Sequence, residues 1–161
     1  MKILGIDPGT RRCGYGIIES LSGQPIHIAS GVISLNSNDA MHYRLLSIYN
    51  QLDNIITLYG PSHAAIEKAF YYKNARSSFA LGQARGIALL LAAKRELSVF
   101  EYNPTEIKKA VTGFGRAEKI QVMKMVKVIL NIHDTLGEDD ADALALCICH
   151  MNLLRFQGSD R

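Results

Sequence analysis

Four carboxylates stand where a folded chain could bring them together. Asp7 closes the apolar run Ile3-Leu4-Gly5-Ile6 and is followed by the turn residues Pro8-Gly9. Glu67 closes a second short run, "HAAIE". Asp139 and Asp142 lie three apart in "GEDDADALALCICH". At about 60° of helical separation these two share a face, whereas Asp140 points elsewhere. Each acid also has a structural explanation. An aspartate after a strand can simply form the turn, and acids in a first helical turn meet the positive end of the dipole. The dipole accounts for Glu138, Asp139 and Asp140 better than for Asp142, which heads a row with Leu146, Cys149 and Leu153. An acid in that place is costly unless paired, protonated or bound to a metal. Hard oxygen donors with no matching His/Cys cluster favour Mg²⁺ or Mn²⁺ over Zn²⁺. Two such ions can activate water and stabilise the leaving oxygen in phosphodiester cleavage.

These acids need a scaffold. Three extended segments come first, "KILGID", "CGYGIIES" and "PIHIASGVISLN", separated by turn chemistry that predicts an antiparallel meander. A helix is expected from about Asp39, with Met41, Leu45, Ile48, Leu52, Ile55 and Tyr59 as its apolar stripe and Gly60-Pro61 as its stop. After the strand ending at Glu67, "KNARSSF" reads as a loop and a second helix runs to about Glu96. Its Gly82 and Gly86, four apart, allow close approach either onto the sheet or to a second subunit. "SVFEY" is a fifth strand, and "PTEIKKAV" opens a helix with Pro in its first turn. A Gly-containing turn leads to "AEKIQVMKMVKVILN", a helix with Val122, Met123, Val126, Ile129 and Leu130 inward. The last helix, from about Glu138, is apolar almost all round and should be buried. This order predicts an α/β fold with a five-stranded mixed sheet flanked by helices. If the strand ending at Glu67 runs parallel to the first, Asp7 and Glu67 project from one edge, where ligands of open α/β sheets bind.

A length of 161 residues suits one domain, expected over 1–155, with 156–161 as a disordered tail. Hydrophobic content of 48% and charged content of 20% are those of a globular protein. No apolar run reaches the roughly 18 residues of a spanning helix, and the opening residues do not have the form of a secretory signal. Three cysteines without C-x-x-C spacing suggest reduced, structural thiols and a cytoplasmic setting. The net charge is only +3, but Pro104 to Lys127 carries six basic residues against two acids. Such a patch is either a solvated helix face or a surface for a polyanion.

Four blocks, "GIDPGTRRCGYGII", "AIEKAFYYKNARSSFALGQARG", "PTEIKKAVTGFGRAEKIQV" and "DDADALALCICH", resemble the signature blocks of the RuvC family of Holliday-junction resolvases, in order and spacing, over essentially the whole chain. The resemblance implies a ribonuclease H-like fold and a homodimer that nicks two opposed strands of four-way junction DNA with Mg²⁺, two ions per site, Mn²⁺ able to substitute. It also implies the RuvA-RuvB branch-migration complex as a partner. The family's catalytic, metal-binding acids fall on Asp7, Glu67, Asp139 and Asp142. Lys108 and Lys119 match basic positions suited to the scissile phosphate. Phe70, beside Tyr71 and Tyr72, matches an aromatic that would stack on an unpaired base at the junction centre; its structural alternative is an anchor for the following loop. Arg76 and Arg85 are candidates for phosphate contact or for ordinary solvation. Two positions depart from the family pattern: Glu138 stands where many members carry Pro, and Asp140 where a small residue is common. Asp139 keeps the three-residue spacing to Asp142 and is therefore preferred as ligand.

The first block also resembles the phosphate loop of actin-like ATPases and sugar kinases. Those enzymes close two such lobes on a nucleotide, and the scheme has no place for the basic segment or for "DDAD". A module that binds branched DNA without cutting it, and a related nuclease with another branched or RNA substrate, complete the alternatives.

Overall fold

The computed structural model describes residues 1–68 and 74–158, with side chains to residue 155. Strands β1 (Lys2–Asp7), β2 (Arg12–Leu21) and β3 (Gln24–Ser34) form the expected meander, followed by α1 (Met41–Tyr59) and β4 (His63–Glu67). Then come α2 (Ala75–Lys94), β5 (Ser98–Tyr102), α3 (Pro104–Thr112), α4 (Lys119–Leu130) and α5 (Glu138–Gly158). The sheet order is β3-β2-β1-β4-β5. β1–β2 and β2–β3 are antiparallel, whereas β1–β4 and β4–β5 are parallel.

Alternation along the strands sorts the core into two layers. Ile3, Ile18 and Ala65 pack with α3, α4 and α5 on one face. Leu4, Ile6, Ile17 and Ile66 pack with α1 and α2 on the other. Two residues beyond Gly5 and Ala65, the same period turns Asp7 and Glu67 toward the α5 face. The parallel register Ile6↔Ile66 brings their strand ends level.

α5 can lie close on that face because the strands beneath it carry glycines. A Cβ on Gly5 would stand 2.0 Å from the Ala143 carbonyl oxygen, and one on Gly14 would stand 2.3 Å from that of Asp139. The first turn of α5 is thus seated over β2, beside Asp7, whose register partner is Gly14. Ala141 and the run from Ala143 to Met151 are buried, which matches the apolar reading of this helix. Its backbone stays helical to Gly158, through the first part of the segment expected to be a tail; residues 159–161 lie outside the described residues.

Two local expectations are corrected. "ARSSF" is the beginning of α2, not a loop, because the Asn74 side chain accepts the Arg76 backbone N–H at 2.9 Å and caps the helix. Gly82 and Gly86 do not pack on the sheet: a Cβ at either would meet nothing within 4 Å among the described residues. On α1 the buried row is Ile48, Leu52 and Ile56, with Leu45, Ile55 and Tyr59 packed beside it.

Candidate active site

A cleft of about 450 Å³ opens at the carboxyl ends of β1 and β4. Its walls include Asp7, Glu67, Asp139 and Asp142, with Lys108 from α3 and Lys119 from the start of α4. Each group sits at an element terminus that its neighbours fix. Asp7 is carried past the sheet edge before Pro8-Gly9 turns the chain. Pro104 and an Asn103–Glu106 capping box start α3, and Glu118 and Gln121 form the corresponding box on α4, setting Lys119 at its first position. A larger cavity of about 720 Å³ between α3 and α5, lined by Glu106, Lys109, Cys149 and Asn152, holds none of the four acids.

The electrostatics of the cleft are dominated by crowded negative charge. Burial, then the nearby Asp142, Glu67 and Asp139, push the Asp7 carboxyl up to about 7, against the opposing field of Lys119. Burial and Asp142 also raise Glu67, opposed by Lys119 and Lys108. Lys119 donates to Asp142 Oδ2 at 3.1 Å, and this bond, with the Asp142 charge, raises the lysine. Arg12, at the start of β2, places Nε 2.5 Å from Asp139 Oδ2. Among the described residues no three His, Cys, Asp or Glu side chains converge as a ready-made metal shell. Two of the four acids face cations of their own chain instead. The donor set nevertheless fits a hard divalent ion: all-oxygen, in a partly buried cleft whose mutual repulsion a dication would relieve.

Other sequence candidates fall elsewhere. Arg76 is exposed in the first turn of α2 and does not line the cleft. Arg85 is neither solvated nor turned to the cleft mouth. Its Nε donates to the Glu67 carbonyl oxygen at 3.2 Å and its guanidinium pairs with Glu101 of β5, so it braces the strand end that carries Glu67. Phe70, Tyr71 and Tyr72 lie outside the described residues. Asp140 points away from the cleft toward a surface lined by His27, Ser30 and His133. Arg12 is the cleft residue that motif reasoning missed. Its only signal in the sequence is a doubled arginine directly after the Pro-Gly-Thr turn.

The family described as "Crossover junction endodeoxyribonuclease RuvC" matches residues 3–150. The chain belongs to the RuvC family. Crossover junction endodeoxyribonucleases RuvC from Syntrophotalea carbinolica and Citrifermentans bemidjiense are 46% and 47% identical to it, each over 150 residues. The match covers 93% of this chain in both cases, and 93% and 92% of those proteins. Thermus thermophilus RuvC superposes with a TM-score of 0.89 at 26% identity, covering 98% of this chain and 97% of the other. T. thermophilus RuvC in complex with Holliday junction substrate superposes at 0.91, with 26% identity and coverage of 98% and 96%. The fold is accordingly ribonuclease H-like. Membership of this family of divalent-metal-dependent nucleases removes the phosphate-loop alternative. No helix among the described residues is long and apolar enough to cross a membrane.

Proposed function

We propose that this RuvC-family chain is the subunit of a dimeric endonuclease that resolves four-way DNA junctions by metal-dependent nicking of two opposed strands. The observation that carries this reading is the meeting of Asp7, Glu67, Asp139 and Asp142, from three separate elements, in one cleft overlooked by Lys108 and Lys119. Asp7, Glu67, Asp139 and Asp142 are the ligands we assign to Mg²⁺, two ions per site, with Mn²⁺ able to replace it. When bound, the ions supply Lewis acidity that makes water nucleophilic near neutral pH and offset charge on the leaving 3′ oxygen. The protein's own contribution is placement. Strand ends β1 and β4 hold Asp7 and Glu67 on the sheet, Arg85 braces the second of them, and the first turn of α5 delivers the other two acids. Lys108 and Lys119 bind the scissile phosphate, Lys119 exchanging Asp142 for it, and exposed Arg76 meets the DNA backbone farther out. Phe70 stacks on an unpaired base at the junction centre.

The second copy fits the outer face of α2. Phe79 and Leu90 are 77% and 61% exposed, and Gly82 and Gly86 between them meet no neighbour among the described residues, which leaves a face with two large apolar side chains around Gln83 open to a partner. Two copies joined there would offer two clefts to two strands. Buried, reduced Cys13, Cys147 and Cys149 suit action in the cytoplasm.

The test is nicking of synthetic four-way junctions with several core sequences, against linear duplex, with Mg²⁺ or EDTA. Paired symmetric cuts are expected only with metal. Glu67→Gln should retain junction binding while its nicking falls by on the order of 100-fold or more. Tight binding without cleavage on any core would instead identify a junction-binding module.

A further inference from the structure

We infer that Arg12 is a displaceable cation on Asp139, one that competes with any metal for this carboxylate. The inference rests on the assignment of Asp139 as a metal ligand. Arg12 Nε stands 2.5 Å from Asp139 Oδ2, the distance of a charge-assisted hydrogen bond. The pair occupies only Oδ2 of the carboxylate, but a guanidinium this close draws off its charge and repels an approaching dication.

The two partners differ in freedom. The Arg12 side chain is 60% exposed and that of Asp139 only 28%, so the arginine can swing into solvent without disturbing packing while the acid stays in the cleft. Asp139 is further held because its backbone rests on β2 at Gly14. The arginine is therefore the mobile member of the pair. It offsets the charge of Asp139, one of the carboxylates that crowd Asp7. Lys119 does the same for Asp142, but Lys119 also has the phosphate to serve. Arg12 enters the cleft from β2, and among the described residues its side chain shows no other partner that would be lost on release. Metal affinity in the free enzyme is consequently set against this ion pair, and removing Arg12 raises it.

The experiment is calorimetric titration of Mn²⁺ into the full-length protein without DNA, where nicking plays no part. It compares wild type, Arg12→Ala, Asp139→Asn and the double variant. Arg12→Ala should bind Mn²⁺ roughly threefold to fivefold more tightly, the range expected for loss of a partly exposed ion pair. Asp139→Asn should bind more weakly, and adding Arg12→Ala to it should change little, because the two substitutions act on one contact. In parallel, the Arg12 side-chain Nε–H resonance of ¹⁵N-labelled protein, assigned by its absence from Arg12→Ala, should shift in step with Mg²⁺ saturation. Weaker Mn²⁺ binding in Asp139→Asn with unchanged or weaker binding in Arg12→Ala overturns the inference and leaves the metal-site reading standing. Equal tightening by Arg12→Ala in the Asp139→Asn background also overturns it, since the effect would then be one of general charge. No loss of affinity in Asp139→Asn overturns both the inference and the assignment beneath it. A resonance that ignores saturating Mg²⁺ overturns it independently of the calorimetry.

Discussion

Lys119 contacts one of the acids and, in the function proposed, also serves the DNA. Its ammonium lies 3.1 Å from Asp142 Oδ2, on a side chain exposed enough to reach outward. If it exchanges that carboxylate for a phosphate, Lys119→Ala should weaken junction binding several-fold and slow nicking by about 10-fold or more at saturating DNA. Quantitative binding and single-turnover rates measure the two effects, and a variant normal in both would make this a surface lysine. At the opposite end of β4 a different group is buried. His150 is fully inaccessible, with His63 Nδ1 2.8 Å from its Nε2 and the Tyr102 hydroxyl 2.6 Å from its Nδ1. Burial, then the neighbouring His63, lower His150 to about 4. Between about 4 and 6.5 the unfolded chain therefore binds a proton that the native chain excludes. The stability linked to this residue is fully present above pH 6.5 and is lost as pH falls toward 4. In urea titrations at pH 7.5 and pH 5, wild type should lose about 2 kcal/mol more than His150→Gln on this account.

The acids owe their convergence to how elements stack, and the decisive contact is between α5 and β2. A methyl group at Gly14 would meet the Asp139 carbonyl oxygen at 2.3 Å, backbone against side chain, with no flexible tip to yield. Gly14→Ala should cost about 1–3 kcal/mol by overpacking and should also displace the first turn of α5, lowering nicking beyond what stability explains. Thermal unfolding together with rates at 25 °C under folded conditions separates the two effects. Little of this contact was legible in the sequence. The β1–β4 pairing could be reasoned from a helical crossover, and the face of each strand from its alternation. The glycines "GYG" in β2 read equally well as weak strand formers, because what they make room for, Asp139 and Leu144, lies far along the chain. The start of α2 was misplaced for a related reason: Asn74 caps a helix only if the residues after it have somewhere to pack, which the local pattern does not state.

For the whole molecule, the interface proposed on α2 would let two cleavage events be coordinated. Phe79 is exposed in the single chain, so Phe79→Asp should leave monomer stability within about 0.5 kcal/mol while breaking a dimer formed through this face. Sedimentation equilibrium should give a dissociation constant at least about 10-fold higher, and single nicks should replace paired ones. A variant that dimerises normally would move the interface away from α2.

The α/β order and the acids as candidates were legible in the sequence, because alternation, helical spacing and turn chemistry are local and repeat along the chain; their grouping as one metal site was implied by the resemblance to the RuvC family. The basic residues Lys108 and Lys119 were equally visible as part of a charged segment. Which cations would actually touch the acids was decided only in three dimensions. Arg12 and Arg85 look alike in the sequence, two arginines among several. Tertiary structure sends one across the cleft to Asp139 and turns the other inward to brace Glu67 and Glu101. An ion pair depends on distances between chain segments far apart in sequence, and such distances exist only once the sheet and α5 have packed.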